Sequence, residues 1–243
     1  MIAFQLKRSS RDLVGHTVLI LFPLALIFFF DYLYKNVNIE TGMGTGGQSP
    51  ITALVIGFAL TFQIYGSALS FETLAEDLFS PMHDRIFSSP VEIRFIVLSI
   101  LTSSTLVSFL QTAILLVFSS IILGASFPSL PFVLLVLLVS VVFNQLFGTV
   151  LLLLTGGVKT ANMVTTIYGS IVPMTVGLYF PLPKGEFFRL LRMYGSPMSL
   201  ANTASLAVME GQIRLFIICL AVLLLLIAVL FFCLQPLVRR ISI

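Results

Sequence analysis

The chain has 243 residues, of which 58% are hydrophobic and only 9% charged, with a formal net charge of +3 and a mean hydropathy of +1.10. Soluble domains carry about 25% charged residues, so this composition excludes an ordinary soluble globule. The few positive residues are scattered, which argues against a nucleic-acid surface.

Ionisable groups are missing from long stretches and gathered between them. Since about 20 apolar residues cross a bilayer core, the pattern predicts one all-α integral membrane domain over residues 1–243, with six transmembrane helices. The opening MIAFQLKRSSRDLVG predicts an interfacial amphipathic helix. Ile2, Leu6 and Leu13 share one stripe, and Lys7, Arg8 and Arg11 project from the other side as anchors among lipid headgroups. Span one, residues 16–34, has a basic flank and no small-residue cleavage site after it, so it reads as an uncleaved helix. A loop from Asn36 to Pro50 carries Gly42, Gly44, Gly46 and Gly47.

Span two covers residues 51–70 and runs into the most polar segment of the chain, residues 71–94. Span three is 95–123, span four 132–154, and span five 163–180; Gly169, Pro173 and Gly177 predict a kink in the last of these. Residues 181–212 are semi-polar, with a break at Gly195-Ser196-Pro197. Span six, 215–234, leads to a basic tail at Arg239 and Arg240. With the N-terminus inside, the inner side collects eight basic residues (Lys7, Arg8, Arg11, Arg85, Arg94, Lys159, Arg239, Arg240) and the outer side five (Lys35, Lys184, Arg189, Arg192, Arg214). That asymmetry favours a multi-pass protein of the cell membrane with both termini cytoplasmic.

The chain offers little chemistry of its own. It has no GxxxxGK[ST] loop for nucleotide phosphates and no HExxH. His16 and His83 lie in different segments, and Cys219 and Cys233 share the last apolar run. Neither catalysis nor a metal or cofactor on this chain is therefore expected. The mid-span polar residues are the amides Gln63, Gln111, Asn144 and Gln145, suited to hydrogen bonds between helices. Asn144 and Gln145 project about 100° apart, so one is expected to face the bundle and the other a partner subunit or a pathway.

Residues 71–94 are unlike a plain connection. As a helix, Phe71, Leu74, Leu78 and Met82 fall within an arc of about 80°, while Glu72, Glu76 and Asp77 project away from it. Pro81 ends that helix, a short element from His83 to Phe87 follows, and Pro90 delimits span three. The alternation predicts a helix continuing out of span two that offers a docking surface to a cytoplasmic partner.

Three stretches carry a resemblance. LKRSSRDLVGHTVLILFPLALIFFF resembles a basic interfacial helix followed by a first span with an early proline, here Pro23. AEDLFSPMHDRIFSSPVEIRFIVLSIL resembles an acidic coupling segment that ends in a serine-proline motif, here Ile86-Phe87-Ser88-Ser89-Pro90. FPLPKGEFFRLLRMYGSPMSLANTASLAVME resembles a re-entrant region before the last span, with Gly195-Ser196-Pro197 at its turn. In this order they resemble the membrane subunit of ATP-binding cassette (ABC) exporters of the type-2 permease family.

The resemblance implies a permease without enzymatic activity. It would pair with a second permease subunit, identical or not, and with two copies of a cytoplasmic ABC ATPase that carries Mg-ATP, to export a hydrophobic or amphiphilic substrate such as a drug, peptide or lipid. It implies ATPase coupling through Leu74, Glu76, Asp77, Leu78, Asp84 and Arg85, with Lys159 in the second inner turn. It also implies a substrate path near spans two and five, for which Gln63, Asn144, Gln145 and Pro173 are the candidates. An ion-coupled secondary transporter and a non-transporting immunity or sensor component share the composition; the first would require a deep ionisable residue such as Asp31.

Overall fold

The computed structural model describes residues 1–9, 11–37, 49–79, 92–179, 182–183 and 185–241. These residues form helices α1 (Ile2–Ser9), α2 (Leu13–Val37), α3 (Pro50–Phe79), α4 (Ile93–Leu123), α5 (Leu130–Thr155), α6 (Val158–Val176), α7 (Glu186–Tyr194), α8 (Pro197–Met209) and α9 (Ile213–Ile241), with no strand among them. Five of the nine (α2, α3, α4, α5 and α9) are long and apolar enough to cross a membrane. The protein is all-helical and built for several membrane passages.

Helix α3 is the hub. It packs against α2, α4, α5, α6 and α8, while α9 packs on α5 and α8 at the far side of the bundle. The most apolar window of α3 is 78% buried, against 17% for both α2 and α9. The outer helices therefore leave most of their apolar surface outside the bundle. Small residues let backbones close on the hub. A side chain at Gly148 of α5 would meet the Phe71 ring and Ser67 at 3.0 Å, and one at Gly169 of α6 would meet the Tyr65 ring at 2.9 Å.

The bundle has two distinct ends. At one, Phe71, Leu74 and Leu78 of α3 share a core with Ile93 and Ile96 of α4, Leu152 of α5, Ala161 of α6, and Leu234 and Val238 of α9. Helix α1 also lies there, because Ser103 of α4 donates to the Ile2 carbonyl at 3.3 Å. Both chain termini thus come to this end. At the opposite end, Thr52 Oγ1 donates to the Ser126 carbonyl at 3.1 Å, and Tyr34 donates to the Leu178 carbonyl at 3.4 Å.

Several predicted boundaries move, each for a local reason. The N-terminal helix is shorter than expected and stops at Ser9. Asp12 then caps α2, its Oδ1 accepting from the Gly15 N–H at 3.1 Å. Span two and its polar continuation form one unbroken helix of 30 residues. At about 1.5 Å per residue it is about 45 Å long, some 15 Å more than a bilayer core. The basic tail is helical too, since Arg239 and Arg240 belong to the last turn of α9.

The largest correction concerns the fifth expected span. Helix α6 runs from Val158 to Val176, so it starts and ends earlier than residues 163–180 and is not among the five crossing helices. Its first turns carry Lys159 and Asn162, and Gly177 closes it at φ 83°, a left-handed conformation that suits glycine. Pro173 sits in the last turn of α6, whose C-terminus is completed by the Leu178 N–H donating to the Pro173 carbonyl at 3.0 Å. Residues 181–212 contain two short helices that break at Gly195-Ser196, as expected. Amphipathic α7 has no buried residue. Helix α8, begun by Ser196 accepting from the Ser199 N–H, is buried almost throughout.

Close packing on the hub is directly testable. Gly148→Leu should lower stability by about 1–3 kcal/mol, the usual cost of overpacking a core, read as a fall in thermal midpoint in detergent. Gly157→Ala, whose added methyl meets nothing within 4 Å, should leave the midpoint unchanged.

Candidate functional site

Two features meet at the end of the bundle that holds α1. The first is an ionic clasp. Helix α1 sets Gln5 against the bundle and half-buries Arg8, while Ile2 and Phe4 stay exposed. Gln5 and Arg8 therefore face protein while Ile2 and Phe4 face outward. Arg8, expected among lipid headgroups, turns instead to the end of α3. There Nη1 donates to Asp77 Oδ1 at 2.6 Å and Nη2 to Glu76 Oε2 at 2.8 Å. The Asp77 side chain is 13% exposed and that of Glu76 71%. Burial works against the charged guanidinium, but the hydrogen bond and charge of Asp77, and then those of Glu76, outweigh it and hold the Arg8 pKa above its ordinary value.

The second feature is a polar cavity of about 410 Å³ between α1, the start of α2, and facing stretches of α3 and α4. His16 hangs over it. The Ser9 carbonyl can only accept, so His16 Nε2 donates to it at 2.7 Å, and Nδ1 of the same ring meets the Gln111 amide at 2.9 Å. Glu72 lines the same cavity, and its Oε1 accepts from Asn162 of α6 at 2.6 Å.

Beyond the cavity, amides knit the helices together. Gln63 of α3 donates to Thr112 of α4 at 3.2 Å and to the Leu137 carbonyl of α5 at 3.3 Å. Gln145 of α5 donates to Ser108 of α4 at 3.1 Å.

The predicted site residues therefore separate into groups. Glu76 and Asp77 stand together at the surface end of α3, with Arg8 between them and α1. Leu74 and Leu78 are 1% and 2% exposed and fasten that end to the core, so they hold the helix down and offer nothing to another chain. Lys159 is exposed at the start of α6, at the same end of the bundle. Lys7 and Arg11 are exposed on and after α1. Asp84 and Arg85 lie outside the described residues.

Gln63 and Gln145 act as interhelical ties. Asn144 and Gln145 are both buried within the chain, and Asn144 donates to the Ser140 carbonyl of its own helix at 3.0 Å. Pro173 is buried at the opposite end, away from the amides. Sequence reasoning missed the cavity. Its signal was a polar stripe on each of two apolar helices: Ser70, Glu72, Thr73 and Glu76 on α3, and Ser103, Ser104, Ser108 and Gln111 on α4.

Comparison with protein-family models, curated proteins and solved structures returned no match.

The clasp predicts unequal couplings. In double-mutant cycles read by thermal unfolding, Arg8 with Glu76 should give the 0.2–1 kcal/mol (roughly) of an exposed pair. Arg8 with the shielded Asp77 should give a larger coupling, and equal values would show that burial of Asp77 does not strengthen the pair.

Proposed function

We propose that this chain is the membrane-spanning permease subunit of an ATP-driven exporter, working with a separate cytoplasmic ABC ATPase in two copies and with a second permease subunit. One observation supports the reading: the most buried of the five crossing helices ends in an acidic turn on which Glu76 is 71% exposed. Helix α3 touches five of the other helices, so a push on Glu76 and Asp77 would be passed to most of the bundle at once. This is the mechanical requirement on a coupling element when the energy comes from another chain.

The charge distribution supports the same orientation. Among the described residues the α1 end gathers Lys7, Arg8, Arg11, Arg94, Lys159, Arg239 and Arg240, and the opposite end Lys35, Arg189, Arg192 and Arg214. Lysine and arginine accumulate on the cytoplasmic side of membrane proteins; in this reading the α1 end is cytoplasmic, both termini are inside and the membrane is the cell membrane. In this reading α6 is the sixth passage, and α7 and α8 form a re-entrant pair on the outer side. Cargo is hydrophobic or amphiphilic, because the ionisable groups lie toward the helix ends. Asp31, the residue an ion-coupled mechanism would need, is paired with Lys35 at 2.7 Å near the end of α2.

A charge swap tests the assignment. Glu76→Lys with Asp77→Lys should abolish co-purification of a P-loop ATPase and ATP-dependent transport. Adding Arg8→Glu restores the internal clasp with reversed sign, and the partner should still be lost. Retention of the ATPase by the double variant, or its recovery by the triple one, would mean that these carboxylates serve only the clasp and would sink the docking role.

A further inference from the structure

Helices α4 and α9 both pack on α5 and hardly on each other. The gap between them is an open groove of about 690 Å³, floored by Val142 and Leu146 of α5. Leu98 and Leu106 of α4 and Phe231 and Phe232 of α9 form its rims and are between 40% and 70% exposed. The lining is almost wholly apolar. Thr102 gives its proton to the Leu98 carbonyl at 2.7 Å, and Gln145, 1% exposed, donates to Ser108 at 3.1 Å. All three walls belong to crossing helices, so in a bilayer the groove is bathed in hydrocarbon rather than water.

The groove runs toward a basic mouth. On α4, Arg94 stands four residues before Leu98 and shares its stripe. On α9, the face that carries Ala228 and Phe232 continues through Gln235 to Arg239, and Arg240 follows in the same last turn. All three arginines are exposed, at the end of the bundle that holds α1. Arg94 meets Glu92 through Nε and lies 5.3 Å from the centre of the Phe95 ring, yet its side chain remains 63% exposed. Among the described residues, one carboxylate against three guanidinium groups leaves the mouth net positive.

We propose that this groove is a binding site for one anionic phospholipid, with an acyl chain along α5 and the phosphate at Arg94 and the last turn of α9. Guanidinium groups take phosphate oxygens through paired N–H donors, and basic pockets between crossing helices favour anionic headgroups. A zwitterionic headgroup would bring a cation of its own to the arginines.

The dimensions favour a lipid chain over a protein helix. From Leu98 to Phe109 the groove follows α4 for about 16 Å. Its mean cross-section is then about 40 Å², half or less of the roughly 80–110 Å² of a helix with its side chains. A helix of a second copy would seat on the rims and leave the floor without contacts, whereas a flexible acyl chain reaches it. The site needs only that α4, α5 and α9 cross a bilayer, and it does not depend on an ATPase.

The chain has no tryptophan, so Phe231→Trp places a single reporter in the groove. The full-length variant is reconstituted in phosphatidylcholine bilayers, and phosphatidylglycerol or phosphatidylethanolamine with brominated chains is added to quench it. Phosphatidylglycerol should show about tenfold higher affinity, the order expected for two basic groups beside an anionic lipid. Leu21→Trp, on the exposed face of α2, should show no such preference. Arg94→Gln with Arg239→Gln should remove the preference at Phe231→Trp, read on protein that keeps its melting midpoint. Should Phe231→Trp melt low, Phe232→Trp on the same rim takes its place.

Three outcomes overturn the proposal. Equal quenching by the two lipids would reduce the groove to ordinary lipid contact, and quenching by neither would mean that protein covers it. A preference that survives the loss of both arginines would remove the headgroup assignment.

Discussion

Everything in this protein is arranged around one helix that is too polar to face lipid. Helix α3 carries Gln63, Ser67 and Ser70 through the depth of the bundle, and in hydrocarbon such groups must find partners within the protein. It is enclosed on nearly every side as a result. Gln63 reaches α4 and α5 at once, Ser67 donates to the Ile64 carbonyl of its own helix, and Gly148 and Gly169 allow α5 and α6 to close on its bulkier side chains. Helices α2 and α9, with almost no polar side chains in their middle turns, need no such cover and stand at the periphery.

The same polarity explains which parts of the fold were legible in the sequence. Hydropathy finds helices by what they would lose in water, so α2, α4, α5 and α9 declare themselves in long apolar runs. It ranks the central helix as the weakest of the five, although it is the most buried. It misplaces α6 for a related reason. Lys159 and Asn162 at its start read as a loop, whereas Asn162 is there to meet Glu72 across the α3–α6 contact. A polar residue in a short chain of this kind says that a partner exists; its place in the sequence does not say whether that partner is water, a headgroup or a side chain on another helix.

Arg8 is the sharpest instance at the site. A helical wheel places it on the basic face of an interfacial helix, which is correct as local structure. The wheel carries no information about Asp77 and Glu76, nearly 70 positions later, and these two carboxylates decide which way the helix rolls. With Arg8 drawn inward, the apolar residues of α1 are left outside, where a bilayer can take them. The acidic face of α3 was legible from the spacing of Glu72, Glu76 and Asp77 against Leu74 and Leu78. Its engagement by the N-terminal helix was not, because that depends on two segments meeting in space.

Clasp and cavity are therefore two consequences of one fold-level choice. Once α3 runs past the bilayer core, its last turns need an apolar floor and a polar lid. Leu74 and Leu78 supply the floor by joining the core at that end, and α1 supplies the lid through Arg8. Tying α1 down at Arg8 on one side and at the Ile2 carbonyl on the other roofs the gap between α3 and α4, and the polar stripes on those two helices become the walls of a chamber. Glu72 and Glu76 follow each other at one helical turn: the first lines the chamber beside Asn162, and the second binds the lid. A displacement of the end of α3 would change both contacts together. Whatever moves Glu76 must also alter the shape of the chamber, so this end of the bundle cannot be pushed without its pocket registering the change.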